Sequence, residues 1–239
     1  HIQDQTSKTF PLFGMNRPTL LWQPYQSTKG DIWVGAGEGL YQLDESQGYL
    51  RKLQPAPEFE ALNTSSIFHF YESAEGVWLS TSSGLYLADL AQEKILARYH
   101  QDQPDPFFLP IDQVAHIHVD SLGIMWLATK GQGLIKWNPR TQEHQIYNQK
   151  SSGLSNDVLY AVYEDAWGYL WLPSNHGLNR LHKASGRMHL YFEEDGLPHN
   201  EFNTTSHYQA PDGSLFLGTL NGMTQFHPRD FDRNPKEVP

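Results

Sequence analysis

Two histidines at i and i+2, His116 and His118, are the residues whose types and spacing most directly suggest chemistry. Alternate residues of a strand share a face, so the pair would present two imidazoles to one metal ion. Aligning the first strands of five similar segments places Tyr25, Tyr71, His118, Tyr163 and Tyr208 at one position, and Gln23, His69, His116, Ala161 and Ser206 two residues earlier. His118 thus stands where the other segments carry Tyr, which predicts a ring packed between neighbouring sheets with its nitrogens hydrogen-bonded. The chain's 12 histidines are scattered, with no HExxH and no dense cluster, so neither a metal site nor a cofactor is expected. Glu193, Glu194 and Asp195 supply neighbouring carboxylates of the kind hydrolysis uses, but they form one acidic run before a turn and read as a solvated loop. No catalytic residue is expected.

Binding residues are more legible. Immediately before Gly39, Gly84, Gly133, Gly177 and Gly222 the segments place Glu38, Ser83, Gln132, His176 and Asn221, with Lys130 and Asn175 close by. All are polar and varied on a constant scaffold, which is how a binding face is built, so these seven are expected to ring one mouth of a central channel and take a ligand. The alternative is that turn residues are polar because turns are wet. At another set of equivalent turns stand Lys29, Glu75, Leu122, Trp167 and Asp212. Leu122 and Trp167 break the charged pattern in adjacent segments and are expected to contact another domain or a second copy of the chain; the alternative folds each side chain back on its own hairpin.

The elements that must position these residues follow from an internal repeat. The anchors Trp33, Trp78, Trp126, Trp171 and Phe216 are separated by 45, 48, 45 and 45 residues, and the five glycines by 45, 49, 44 and 45. Each unit reads as four short strands, for example Val158–Glu164 for a first strand, Gly133–Asn138 for a third and His144–Asn148 for a fourth. With 13% aromatic residues, 19 Gly and 15 Pro, and no sustained helical periodicity, the chain is expected to be all-β, a β-propeller of about five four-stranded blades. The blades fall at about 20–53, 66–100, 114–148, 158–192 and 203–226, within a domain spanning 1–230. A strand at 8–13 is expected to complete the last blade and close the ring; the alternative is an open arc of a larger ring. The segments Asp120-Ser121-Leu122-Gly123 and Asp165-Ala166-Trp167-Gly168 loosely echo the Asp box of sialidases but lack its Thr and its spacing, and hairpin turns explain them.

Composition excludes more than it assigns. Against 17 basic residues stand 27 acidic ones, a formal charge of −10, so nucleic acid is not an expected partner. Without cysteine there is no disulfide and no thiolate ligand. There is no apolar run of about 18 residues, and His1–Thr9 has the character of neither a signal peptide nor a lipidation site, so the sequence reads as a piece of something larger.

The unit D-x-x-G-x-L-W-[IL]-[GA]-T-x-x-G-L-x-[RK]-[YFW], seen over Asp120–Trp137 and Asp165–Leu181, resembles the regulator-propeller repeat of bacterial two-component sensors. The stretch Asp195-Gly196-Leu197-Pro198-His199-Asn200-Glu201-Phe202-Asn203 is similar to that family's final repeat, as are Gly218-Thr219-Leu220-Asn221-Gly222 and Phe226-His227-Pro228 after it. The resemblance spans about residues 20–230. It implies a periplasmic sensing region, non-catalytic, that binds a small molecule or oligosaccharide or sets the geometry of a receptor homodimer. It also implies a tail at 231–239 leading to an immunoglobulin-like domain, membrane contact only through flanking segments, and a histidine kinase or diguanylate cyclase as output. Members usually have seven blades, whereas five units are countable here. The competing readings are a propeller enzyme, similar to streptogramin lyase or a glycosidase, and a protein-interaction scaffold.

Overall fold

The segments of Trp33, Trp78, Trp126 and Trp171 become the second strands of four antiparallel sheets and are buried almost throughout, while the fourth strands of those sheets are more exposed. The structure, a computed structural model, describes residues 8–12 and 19–231. It divides into two compact units, His1–Tyr99 and His100–Pro239.

In the first unit β1 (Leu21–Gln26), β2 (Ile32–Ala36), β3 (Gly39–Asp44) and β4 (Tyr49–Lys52) pair in chain order, as do β5 (Ile67–Ser73), β6 (Gly76–Thr81), β7 (Gly84–Asp89) and β8 (Lys94–Tyr99). Trp33 and Leu40 of one sheet share a core with Ile67, Leu79 and Tyr86 of the next, so the sheets pack as neighbouring blades. Gly35 sits where this packing is tightest. A Cβ there would lie 2.5 Å from the backbone oxygen of Ile67, so only Gly allows the two backbones to approach so closely.

The second unit holds β9 (Val114–Val119), β10 (Met125–Thr129), β11 (Leu134–Trp137) and β12 (His144–Tyr147); then β13 (Tyr163–Glu164), β14 (Tyr169–Pro173), β15 (Leu178–His182) and β16 (Met188–Tyr191); then β17 (Phe202–Gln209), β18 (Leu215–Thr219) and β19 (Gly222–Phe226). Trp126 and Leu134 pack with Leu159, Leu170 and Leu181, while Tyr160 and Trp171 pack with Phe202, Leu215 and Leu217. The fold is therefore the all-β, five-bladed propeller class, one sheet per repeat, with three strands in the last sheet among the described residues.

Three boundaries differ from expectation. The strand expected over Val158–Glu164 is reduced to Tyr163–Glu164, with Val158 and Leu159 forming isolated bridges to Lys130 and Ser174. Pro173 accepts from Tyr160 N–H at 2.9 Å but has no N–H to return, so the ladder is broken there. Of the strand expected over 8–13, the described residues pair with the first blade: Leu12 bridges Leu50 in parallel and Pro11 C=O accepts from Leu50 N–H at 2.9 Å. Phe13 lies outside the described residues, as do 232–239 of the expected tail. Phe231 packs edge-on to Trp171, Tyr191 and Phe226, so the core runs past the expected boundary at 230.

Candidate functional site

The turn between the second and third strands of a blade is built around one hydroxyl. Thr81, Thr129, Ser174 and Thr219 donate to the carbonyls of Gly84, Gly133, Gly177 and Gly222 at 2.7, 2.7, 2.7 and 3.1 Å. The same oxygens accept the N–H of Ser83, Gln132, His176 and Asn221 at 3.0, 3.0, 3.1 and 3.4 Å. Both bonds hold the residue before the glycine by its backbone and leave its side chain to vary. In the first blade Ala36 occupies the hydroxyl position, so Glu38 stands on a turn without this brace.

The seven candidate binding residues differ in what they can offer. His176 and Asn221 are exposed, and Glu38, Lys130, Gln132 and Asn175 are half-buried. Ser83 is committed within the fold: its hydroxyl meets those of Tyr86 at 3.0 Å and Ser65, and its carbonyl accepts two N–H groups of Arg98 at 2.9 and 2.7 Å. Lys130 bridges Val158, whose carbonyl accepts Asn175 N–H at 3.0 Å, so the backbone brings Lys130 and Asn175 to either side of one residue. Burial holds the Lys130 amine below the usual lysine range. Asn175 Nδ2 donates to Tyr160 Oη at 3.0 Å, and the His176 ring lies 5.3 Å from that of Phe192. Burial, with the Glu38 charge second, raises the Tyr41 phenol; burial lowers the Lys52 amine against the opposing Glu38 charge, and Lys52 Nζ lies 6.0 Å over the Tyr41 ring.

At the turn between first and second strands the carboxylate does the bracing. Asp120 Oδ1 accepts the N–H of Leu122 and Ile124 at 3.0 and 3.1 Å, and Oδ2 accepts Trp126 Nε1 at 3.0 Å. Asp165 repeats the pattern, with Trp167 and Tyr169 N–H at 2.9 and 3.0 Å and Trp171 Nε1 at 2.8 Å. The spacing of six residues from Asp to Trp was the signal for this lock. With the turn tied down, Leu122 stands 74% exposed and Trp167 42% exposed. Trp167 lies edge-on to His227 at 6.2 Å and borders a groove of about 300 Å³ with Glu164, Asp165, Gln209 and Asp212. In the first unit a groove of about 290 Å³ opens at the equivalent turns, between Lys29, Asp31, Glu72, Glu75 and Asp89.

His116 and His118 are engaged separately. His118 Nε2 bonds Glu164 Oε2 at 2.9 Å, as Tyr25 Oη donates to Glu72 at 2.6 Å in the first unit: the aligned position links one blade to the next. Lys183 joins this network through Glu164 Oε1 at 2.5 Å and Asp120 Oδ2 at 3.2 Å. Burial alone would raise the Asp120 carboxyl, but its bonds from Trp126, Ile124, Leu122 and Lys183 outweigh it and hold the group below the usual carboxylate range. Replacing Lys183 by Met should destabilise the second unit by about 1–2 kcal/mol, because two carboxylates lose their shared cation while partial exposure softens the cost; urea unfolding measures it, and an unchanged midpoint would contradict the network's role. His116 is buried, its ring 5.1 Å from those of both Tyr163 and His207. One further cluster escaped sequence reasoning. His100, Asp102 and Asp112 place ligand-type atoms within 4.8 Å of one another, on a loop with no recognisable motif.

No family model matches the chain. Among curated proteins it is similar to histidine kinase P4 of Formosa agariphila, 27% identical over 214 residues, which is 85% of this chain and 15% of that protein. Among solved structures it is similar to the extracellular domain assigned to a hybrid two-component system of Bacteroides thetaiotaomicron, with a TM-score of 0.72 and 16% identity over 92% of this chain and 28% of the other. It is also similar to virginiamycin B lyase of Staphylococcus aureus, with a TM-score of 0.57 and 16% identity over 89% of this chain and 71% of the other. The chain thus spans a minor part of the sensors it matches. The chain is thus similar in sequence to a histidine kinase and in fold to the extracellular domain of a two-component system. Among the described residues no helix is long and apolar enough to cross a membrane.

Proposed function

We propose that the chain is the periplasmic, non-catalytic sensing module of a bacterial transmembrane receptor, and that it binds a small molecule or oligosaccharide and biases a kinase or cyclase output. The observation that carries this reading is the likeness of 85% of the chain to a histidine kinase, on a fold shared with a sensor's extracellular domain. The proposed ligand contacts are Glu38 and Ser83 in the first unit and Lys130, Gln132, Asn175, His176 and Asn221 in the second. Braced turns with varied tips support this assignment at Ser83, Gln132, His176 and Asn221, with His176 and Asn221 the most accessible and Ser83 the least available. A charge of −10 favours neutral over anionic ligands. Signal transfer needs only that ligand bind one arrangement of the receptor better than another.

The test is calorimetric titration with a panel of neutral mono- to hexasaccharides. The double substitution Gln132→Ala and His176→Ala should weaken binding of any sugar that the parent protein takes by tenfold or more, with thermal stability retained. Equal affinity in parent and variant would remove the turn residues from the site.

A second reading rests on the exposure of Leu122 and Trp167: this surface contacts another receptor domain or a second copy, as expected of neighbouring apolar residues at turns that are charged elsewhere. The lyase likeness leaves an enzyme as the alternative, since one fold serves both roles.

A further inference from the structure

We propose that the segment 100–113, which precedes β9, holds a divalent transition-metal ion on His100, Asp102 and Asp112. These three offer one ring nitrogen and two carboxylate oxygens within 4.8 Å of one another, the one such group of three or more His, Cys, Asp or Glu among the described residues.

Backbone bonds prearrange the ligands. His100 N–H donates to Phe107 C=O at 3.1 Å, and His100 C=O accepts from Gln103 N–H and Leu109 N–H at 3.2 Å each, so His100 is the neck of a closed loop. Asp112 enters from the far side of that neck, its Oδ1 accepting Gln101 N–H at 3.0 Å. Asp102 N–H donates to His100 Nδ1 at 3.3 Å; an ion on the ring would replace this long bond, because a neutral imidazole has only one nitrogen lone pair to give. Burial is graded across the site: His100 is 8% exposed, Asp112 half-buried and Asp102 exposed. An ion therefore meets a buried inner ligand and an exposed outer one, with an entry path through solvent.

The donor set selects the metal class. An imidazole with two carboxylates suits Zn²⁺ or Mn²⁺ and leaves positions for water, whereas Ca²⁺ and Mg²⁺ prefer oxygen alone. Bond lengths of about 2.0–2.2 Å require the three donors to draw together, and the exposed Asp102 carboxylate is the one free to rotate. Bound metal would tie residue 100 to residue 112 and stabilise the loop in proportion to its saturation.

The experiment uses the whole chain, freed of affinity tag and dialysed against EDTA, titrated with ZnCl₂ and separately with MnCl₂ by calorimetry and thermal melting. One equivalent of at least one ion should bind with micromolar or tighter Kd and raise the melting temperature. Asp102→Asn, at an exposed position that leaves the fold intact, should weaken that binding tenfold or more, and Asp112→Asn should do the same. No binding at 100 µM metal, or binding of equal affinity in parent and both variants through other surface histidines, would overturn the proposal.

Discussion

Trp171→Ala should cost about 3–5 kcal/mol of stability, the range for removing a fully buried Trp. The indole has no exposure and meets the ring of Phe226 at 4.7 Å, Phe231 at 4.9 Å and Tyr191 at 6.1 Å, with the Arg180 guanidinium 5.0 Å over it. Two losses add together: a cavity that these neighbours fill only in part, and a carboxylate oxygen of Asp165 that loses its 2.8 Å donor. Trp171→Phe separates them, because it keeps most of the volume and removes the N–H, and should cost about 1–2 kcal/mol. Urea unfolding at neutral pH gives both numbers. A loss under about 1 kcal/mol for the Ala variant would show that the fourth blade does not depend on this ring.

Mild acid should weaken the protein through His207. Burial pushes its imidazole down to about 4, against a small opposing bond at the Thr204 backbone. Its Nδ1 lies 2.7 Å from Tyr163 Oη, and the His116 ring stands edge-on at 5.1 Å. In the unfolded chain the same group takes its proton near pH 6.5. Between about 6.5 and 4 the unfolded state therefore binds a proton that the folded state refuses, so stability falls as pH falls through that window and is constant above it. The single group supplies up to about 3 kcal/mol across the window. Unfolding free energies at pH 4.5, 5.5, 6.5 and 7.5 should trace this slope, and His207→Gln should flatten it. A variant with the parent's slope would place the acid sensitivity in other groups.

The period was legible because each repeat carries its own punctuation: a Trp strand, a turn glycine and a constant interval, none of which depends on distant residues. The five sheets follow from that alone. What the period hides is the partner across the blade boundary. Glu164 and Lys183 look like surface charges in sequence, and only the packing of one blade on the next brings them to His118 and Asp120. The Asp-to-Trp lock was visible as a spacing of six in two adjacent repeats, yet a turn explains the Asp well enough that the indole bond goes unsuspected. Pro173 carried a signal that the expected strand Val158–Glu164 overlooked, since a strand neighbour without an N–H cannot complete its pair. The polar turn residues were placed by alignment, but whether each is available depends on neighbours: Arg98 and Tyr86 occupy Ser83, while nothing in the sequence distinguishes it from Asn221. His100, Asp102 and Asp112 were unreadable for the opposite reason, His100 ending one repeat and the two Asp lying in the segment before the next.

The distribution of indoles makes the molecule its own optical instrument. Trp22, Trp33 and Trp78 lie in the unit His1–Tyr99, and Trp126, Trp137, Trp167 and Trp171 in the unit His100–Pro239. Buried indoles emit to the blue and wetted ones to the red, so unfolding of either unit shifts its own share of the fluorescence. Separate transitions would appear as two steps in the emission maximum and a shared one as a single step. Trp167, alone 42% exposed beside its groove, supplies the red edge of that spectrum, where a molecule entering the groove would be seen without any label.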